Sequence, residues 1–186
     1  MSTPPHPPHK RYAGGAERLR APQRVALLET ARVVSLSVEG MSVESVLDVG
    51  TGTGIFAEAF ADGSRRVEGV DAETGLLEVA RRLVTGASFR EGTAEKLPFA
   101  ARSFDMVFLG HVLHEIDDPV LALTEARRVA GKRVVVLEWP YRAEEMGPPL
   151  AHRLAPSQVL ELAAAAGFSK TERIELNHMD LYRLAP

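Results

Sequence analysis

Three stretches of the chain combine residue types and spacings that could do chemistry. The first is Val46 to Phe56, where Asp48 is followed by Gly50, Gly52 and Gly54 at alternate positions. Ser45 to Val49 is apolar enough for a strand buried on both faces, and the glycines let the backbone turn sharply and approach a ligand without intervening side chains. A carboxylate two residues ahead of the first glycine would face a dinucleotide's pyrophosphate unfavourably, but it suits a ligand carrying an ammonium and a sulfonium. The second is Val67 to Asp71, a short strand whose acid falls about 20 residues beyond the loop, where a Rossmann-like unit sets a carboxylate against ribose hydroxyls. A helix-capping or turn role is the alternative for Asp71. The third is Gly110 to Ile116, at the end of a strand running from Ser103 to Leu109. There His111, His114 and Glu115 could bring one imidazole and one carboxylate towards a reacting group. The alternative for His114 is packing beneath the loop with both ring nitrogens satisfied.

The glycine spacing is G-x-G-x-G, one position away from the G-x-G-x-x-G of dinucleotide loops. Val46 to Phe56 closely resembles motif I of the class I S-adenosylmethionine-dependent methyltransferases. Gly92-Thr93-Ala94-Glu95-Lys96-Leu97-Pro98-Phe99 resembles that family's adenine-contacting turn, usually G-D-A-x-x-L-P-F, with Thr93 in place of the aspartate. The His111 region occupies the family's motif IV position and lacks the N-P-P-Y of relatives that methylate nucleobase amines. In this order the motifs look most like the UbiE-like branch acting on small molecules. The resemblance implies S-adenosylmethionine as cofactor, S-adenosylhomocysteine as product, and a sheet of seven strands with three helices on each side. It also implies a cofactor site of Asp48, Gly50, Thr51, Gly52, Asp71, Ala72, Thr93, Ala94, Glu95, Leu109 and Gly110. His111, His114 and Glu115 are the catalytic candidates.

The elements that must hold these residues follow from periodicity. Met1 to His9 is rich in proline and cannot hold a helix, so residues 1–21 read as a tail; the resemblance implies that such a segment folds over cofactor and substrate, which makes it a candidate lid carrying Tyr12 and Arg18. His6 and His9 lack a third ligand nearby, and no metal is expected. Residues 22–186 read as one domain, which suits a chain of 186 residues. Pro22 opens a helix to about Val34 that should pack on the sheet edge, followed by a connection to Glu44. Helices are expected from Ile55 to Ala61, stopped by Asp62-Gly63, and from Thr74 to Val84. A further helix begins at Asp117-Asp118-Pro119, with Leu121, Leu123, Thr124, Ala126 and Val129 towards the sheet. Strands are expected at Ala87 to Glu91 and Lys132 to Glu138. Gln158 to Ala166 is a helix, and Lys170 to Leu176 and Met179 to Leu184 form a hairpin about Asn177-His178. The result is an α/β, Rossmann-like, doubly wound sheet of seven mostly parallel strands with an antiparallel C-terminal hairpin. Between Glu138 and Pro156 lies an aperiodic stretch of about 17 residues, the length of a lid or binding loop. Trp139, Tyr141, His152 and Arg153 make it a candidate part of the substrate site, the alternative for each being a structural role.

Composition narrows the chemistry further. The absence of cysteine excludes disulfides, thiolate metal sites, cysteine nucleophiles and the thiolates an arsenite methyltransferase needs. A net charge of -3 supplies no basic field for nucleic acid, which favours a small-molecule acceptor. With no apolar run of membrane-spanning length and no secretory leader pattern, the expected location is the cytoplasm, and a homodimer is a candidate assembly. Two other functions fit the architecture. A non-catalytic S-adenosylmethionine-binding or interaction domain would share the fold and loop. A nicotinamide-dependent reductase would require a different glycine spacing and a Tyr/Lys pair.

Overall fold

The computed structural model describes residues 15–61 and 64–186. His6, His9, Tyr12 and the Asp62-Gly63 helix stop lie outside the described residues. Seven strands form one sheet: β1 (Ser45–Val49), β2 (Arg66–Asp71), β3 (Ala87–Glu91), β4 (Phe104–Gly110), β5 (Ala130–Glu138), β6 (Lys170–Glu175) and β7 (Asp180–Ala185). Their order is β3-β2-β1-β4-β5-β7-β6. All neighbouring pairs are parallel except those of β7, which runs antiparallel to both β5 and β6. The chain leaves β1 first towards β2 and β3 and then returns to place β4 on the other side. This reversal opens a crevice outside the carboxyl ends of β1 and β4, where side chains from separate elements can converge.

Helices α1 (Ala16–Leu19), α2 (Pro22–Leu27), α3 (Thr30–Val38), α4 (Ile55–Ala61), α5 (Thr74–Leu83), α6 (Pro119–Val129) and α7 (Pro156–Ala165) surround the sheet. On one face, Leu28, Val33, Phe56 and Phe60 bury against Val46, Met106, Phe108, Val135 and Leu137. On the other, α6 and α7 cover Leu47, Val107, Leu109, Val134 and Val136. Both faces of the central strands are therefore dry, which is why β1, β4 and β5 read as unbroken apolar runs instead of alternating ones.

Four expectations are corrected. The helix opening at Pro22 breaks at Glu29, whose φ of 45° is left-handed, and α3 then continues to Val38. Arg133 holds that second half from β5 by donating to the carbonyls of Ser37 (2.8 Å) and Glu39 (3.0 Å). This segment packs on a face of the sheet and not on its edge, because Val33 is fully buried among residues of β1, β4 and β5. Leu121 is 45% exposed, since α6 turns Ala122, Leu123, Ala126 and Val129 inward. Finally, residues 92–103 between β3 and β4 form no helix, so among the described residues α6 and α7 are the two helices of their face.

A bridge between Thr93 and Lys96 shapes that connection, and α6 supports it. Leu97 N donates to Glu125 Oε2 (3.0 Å), while Arg128 donates to the carbonyls of Phe99 (2.8 Å) and Leu97 (3.2 Å). Arg128 also pairs with Glu125 at 2.6 Å and holds its carboxyl below the usual range.

Candidate active site

A cavity of about 760 Å³ lies outside the carboxyl ends of the strands, bounded by the glycine loop, the ends of β2 and β4, α1, α2 and residues 145–148. Asp48 lines it, although its side chain is almost entirely buried. Thr51 Oγ1 donates to Asp48 Oδ2 at 2.7 Å. Desolvation pushes the Asp48 pKa up to about 7, opposed by the hydrogen bonds from Thr51 and the Ala57 backbone. The turn above it is fixed by Gly50 N and Thr51 N, which both donate to the Val70 carbonyl, at 2.8 and 3.0 Å. Gly50 has a φ of 68°, and a Cβ there would stand 2.5 Å from Val112 Cγ2, so only glycine fits.

Asp71, at the end of β2, accepts from Gly52 N (2.7 Å) on one oxygen and from Glu73 N (2.9 Å) on the other. The turn role foreseen as its alternative is therefore real. A carboxylate oxygen has two lone pairs, so each oxygen can take a further donor from the cavity that Asp71 lines. Burial raises its pKa as well. Ala72, Thr93, Ala94, Glu95 and Gly110 also line the cavity. Leu109 is fully buried in the core below it.

The two histidines are held in different ways. His111 takes a left-handed φ of 58°, and its N donates to the Leu137 carbonyl at 2.8 Å. Its ring stacks on Trp139, with centroids 5.0 Å apart, and its Nε2 lies 2.9 Å from Met179 Sδ. Desolvation first, then electrostatic coupling to Arg24 and to His114, presses its pKa well below the usual histidine value, so the ring stays neutral. His114 sits in a single 3₁₀ turn, Leu113–Glu115, with Nδ1 2.8 Å from Glu138 Oε2 and Nε2 3.6 Å from Glu115 Oε1. Its backbone N donates to Glu138 Oε1 at 3.2 Å. All three catalytic candidates line the cavity.

Leu19 and Arg20 dock over the glycine loop. Leu19 Cδ1 comes within 3.4 Å of where a Gly52 Cβ would be, and Arg20 donates to the Thr53 carbonyl at 2.7 and 3.3 Å. Arg18 lines the cavity, as does Trp139. Tyr141, His152 and Arg153 are outside its lining, the first two exposed to solvent. Arg153 is buried and donates to the carbonyls of Pro140, Arg142, Met146 and Pro148, with its guanidinium 5.4 Å from the Trp139 ring centroid. It organises the loop that carries the cavity wall.

Sequence reasoning passed over Glu138, Met179, Arg24 and Leu28. Only Glu138 had a readable signal, being an acid at the end of a strand, as Asp71 is.

Residues 47–136 match the family model described as a methyltransferase domain. The demethylmenaquinone methyltransferase of Renibacterium salmoninarum is 37% identical over 112 residues, covering 59% of this chain and 47% of that protein. The chain thus spans about half the length of that relative. A SAM-dependent methyltransferase structure from Aquifex aeolicus superposes with a TM-score of 0.81 at 20% identity, covering 91% of this chain and 95% of that one, a likeness of fold. The YcgJ structure from Bacillus subtilis gives a TM-score of 0.66 at 25% identity over 80% of this chain and 71% of that one. The sheet order and the glycine loop agree with these matches, which make residues 47–136 similar to the methyltransferase domain and the fold similar to that of S-adenosylmethionine-dependent methyltransferases. In sequence, the chain is similar over more than half of its length to demethylmenaquinone methyltransferases, the UbiE-like kind.

Proposed function

We propose that the protein transfers a methyl group from S-adenosylmethionine to a small-molecule acceptor in the cytoplasm. The observation that carries this reading is the buried Asp48 carboxylate on the cavity wall, beneath a glycine turn that no larger residue can form. The residues fit the cofactor. Asp48 would hold the ammonium of the methionine end, Asp71 the ribose hydroxyls, and the turn at Thr93 to Glu95 the adenine. Bound there, the cofactor supplies a methyl group made electrophilic by a sulfonium that departs as a neutral thioether. The protein then has to align the acceptor behind that methyl and exclude water. Leu28, Phe56, Val112, Trp139 and Met146 give the cavity an apolar, aromatic wall for that purpose, with Arg18, Arg24 and the histidines beside it. A reduced demethylated quinone is the first acceptor to assay, because relatives bearing that activity in their names align with more than half of the chain.

Calorimetric titration with S-adenosylhomocysteine, NADH and NADPH tests the reading. Binding of the adenosyl ligand alone is expected; binding of a nicotinamide nucleotide in its place would overturn it. Methyl transfer to no acceptor would favour a binding domain.

The pH dependence has a definite sign. Asp48 has its pKa raised to about 7 by burial, so in the free protein it is protonated below that value and must lose its proton to meet an ammonium. Affinity for S-adenosylhomocysteine should therefore rise with pH, by up to about tenfold per unit below pH 7, and level off above it. Asp71, also raised, acts in the same direction. Titrations between about pH 5.5 and 8.5, in buffers of differing ionisation enthalpy, should show proton release on binding near neutrality. A flat profile would argue against Asp48 as the ammonium ligand.

A further inference from the structure

We propose that Glu138 is the positioning residue that makes His114, and not His111, the base of the methyl transfer. On this assignment the acceptor attacks through an atom that must give up a proton, such as a hydroxyl, and not through a free lone pair. This rests on the methyltransferase reading above.

Glu138 is buried at the end of β5 and accepts from His114 N (3.2 Å), Trp139 N (3.3 Å) and His114 Nδ1 (2.8 Å). A carboxylate can only accept, so the proton between Glu138 and the ring belongs on Nδ1 and the lone pair of neutral His114 is on Nε2. Glu115 Oε1, 3.6 Å from Nε2, is placed to stabilise the imidazolium once a proton arrives. An acid that fixes the tautomer of a histidine and supports its charged form is the general logic of an activated base. Among the described residues, His111 has no carboxylate partner of this kind. Its Nε2 meets the Met179 sulfur, a weak acceptor, so its N–H points there, and burial with the nearby charge of Arg24 keeps the ring neutral.

The other groups around the dyad do not reverse this assignment. Behind Glu138, Asp180 on β7 is its register partner, but Asp180 pairs with Arg173 of β6 at 3.0 Å. Tyr182 on β7 has its pKa pushed far up, chiefly by burial, and stays a neutral phenol. Glu145 and Arg24 line the same cavity from the loop and from α2.

In the reaction the acceptor's X–H proton passes to His114 Nε2, and the electron pair left on X forms the bond to the methyl carbon. The carbon–sulfur pair stays on sulfur, and the imidazolium returns its proton to water. One proton is released per turnover, and no oxidant or reductant is needed.

Two-bond ¹H–¹⁵N correlation spectra of the labelled protein saturated with S-adenosylhomocysteine test the assignment, with His114→Gln identifying the signal. His114 is expected as the Nδ1–H tautomer. Its pKa should fall by about one unit or more in Glu138→Gln, which keeps the shape but not the charge, and should be largely kept in Glu138→Asp. An Nε2–H tautomer in the wild type, or a titration unmoved in Glu138→Gln, would overturn the proposal. Calorimetry on the same samples separates the two levels. Failure of the wild type to bind S-adenosylhomocysteine sinks the methyltransferase reading and this proposal with it, whereas normal binding with the wrong tautomer sinks the proposal alone.

Discussion

Replacing Asp71 by alanine should weaken S-adenosylhomocysteine binding by about 100-fold or more. The carboxylate would accept both ribose hydroxyls, and hydrogen bonds to a charged group contribute about 1.5–3 kcal/mol each, so two of them amount to at least two powers of ten in affinity. A second effect adds to the first. Asp71 Oδ2 also receives Gly52 N at 2.7 Å, so the substitution removes the acceptor that fixes the middle of the glycine turn. Calorimetry of wild type and variant, with thermal melting to verify the fold, gives the answer. A loss below tenfold in a folded variant would mean that the ribose is held elsewhere and that Asp71 serves only its turn.

Arg153→Ala should have the largest effect on the cavity wall and on stability, although Arg153 lies outside the cavity lining. Its guanidinium donates to the carbonyls of Pro140, Arg142, Met146 and Pro148. Alanine would leave these acceptors without that donor, and each one left buried and unpaired costs about 1–3 kcal/mol. The loop can escape part of that cost by opening to water, which would uncover Trp139. A loss of about 3–5 kcal/mol, or a fall in melting temperature of roughly 10 °C, is expected. Trp139 is the only tryptophan of the chain, so its fluorescence reports on the loop directly and should shift to the red. Arg153→Lys should rescue little, since one ammonium cannot reach carbonyls spread around a planar fork. An unchanged melting curve and emission spectrum would show that the loop holds its shape without this residue.

What could be read from the sequence was local. The strands around Asp48 and Phe108 are short apolar runs, and the glycines after β1 mark a turn whose geometry depends on the absence of Cβ atoms, so both can be placed from a few consecutive residues. The break at Glu29 could not be, because its left-handed backbone is held by a partner 148 residues away. Asn177 donates to both oxygens of Glu29, at 3.0 Å each, from the turn of the C-terminal hairpin. The same reason hid the division of labour between His111 and His114. The local pattern could bring one imidazole and one carboxylate forward without saying which imidazole, whereas Glu138 and Met179, distant in sequence, give each ring a different partner. Leu121 was misplaced on the sheet side because its apolar character outweighed the inward face set by Ala122, Leu123, Ala126 and Val129. For Arg153 the sequence left substrate contact and structural role open, because a cation in an aperiodic loop has no visible acceptors until the carbonyls fold around it.

The connection from β3 to β4 has no helix of its own and takes its shape from Glu125 and Arg128 near the end of α6. The turn proposed to hold the adenine and the last turn of α6 therefore open and close together. Local unfolding of one releases the other, and a ligand that steadies Thr93 to Glu95 must slow amide exchange at the carboxyl end of α6. By linkage the reverse holds with the same free energy: whatever loosens that helix end on the outside of the molecule is felt as weaker cofactor affinity within it.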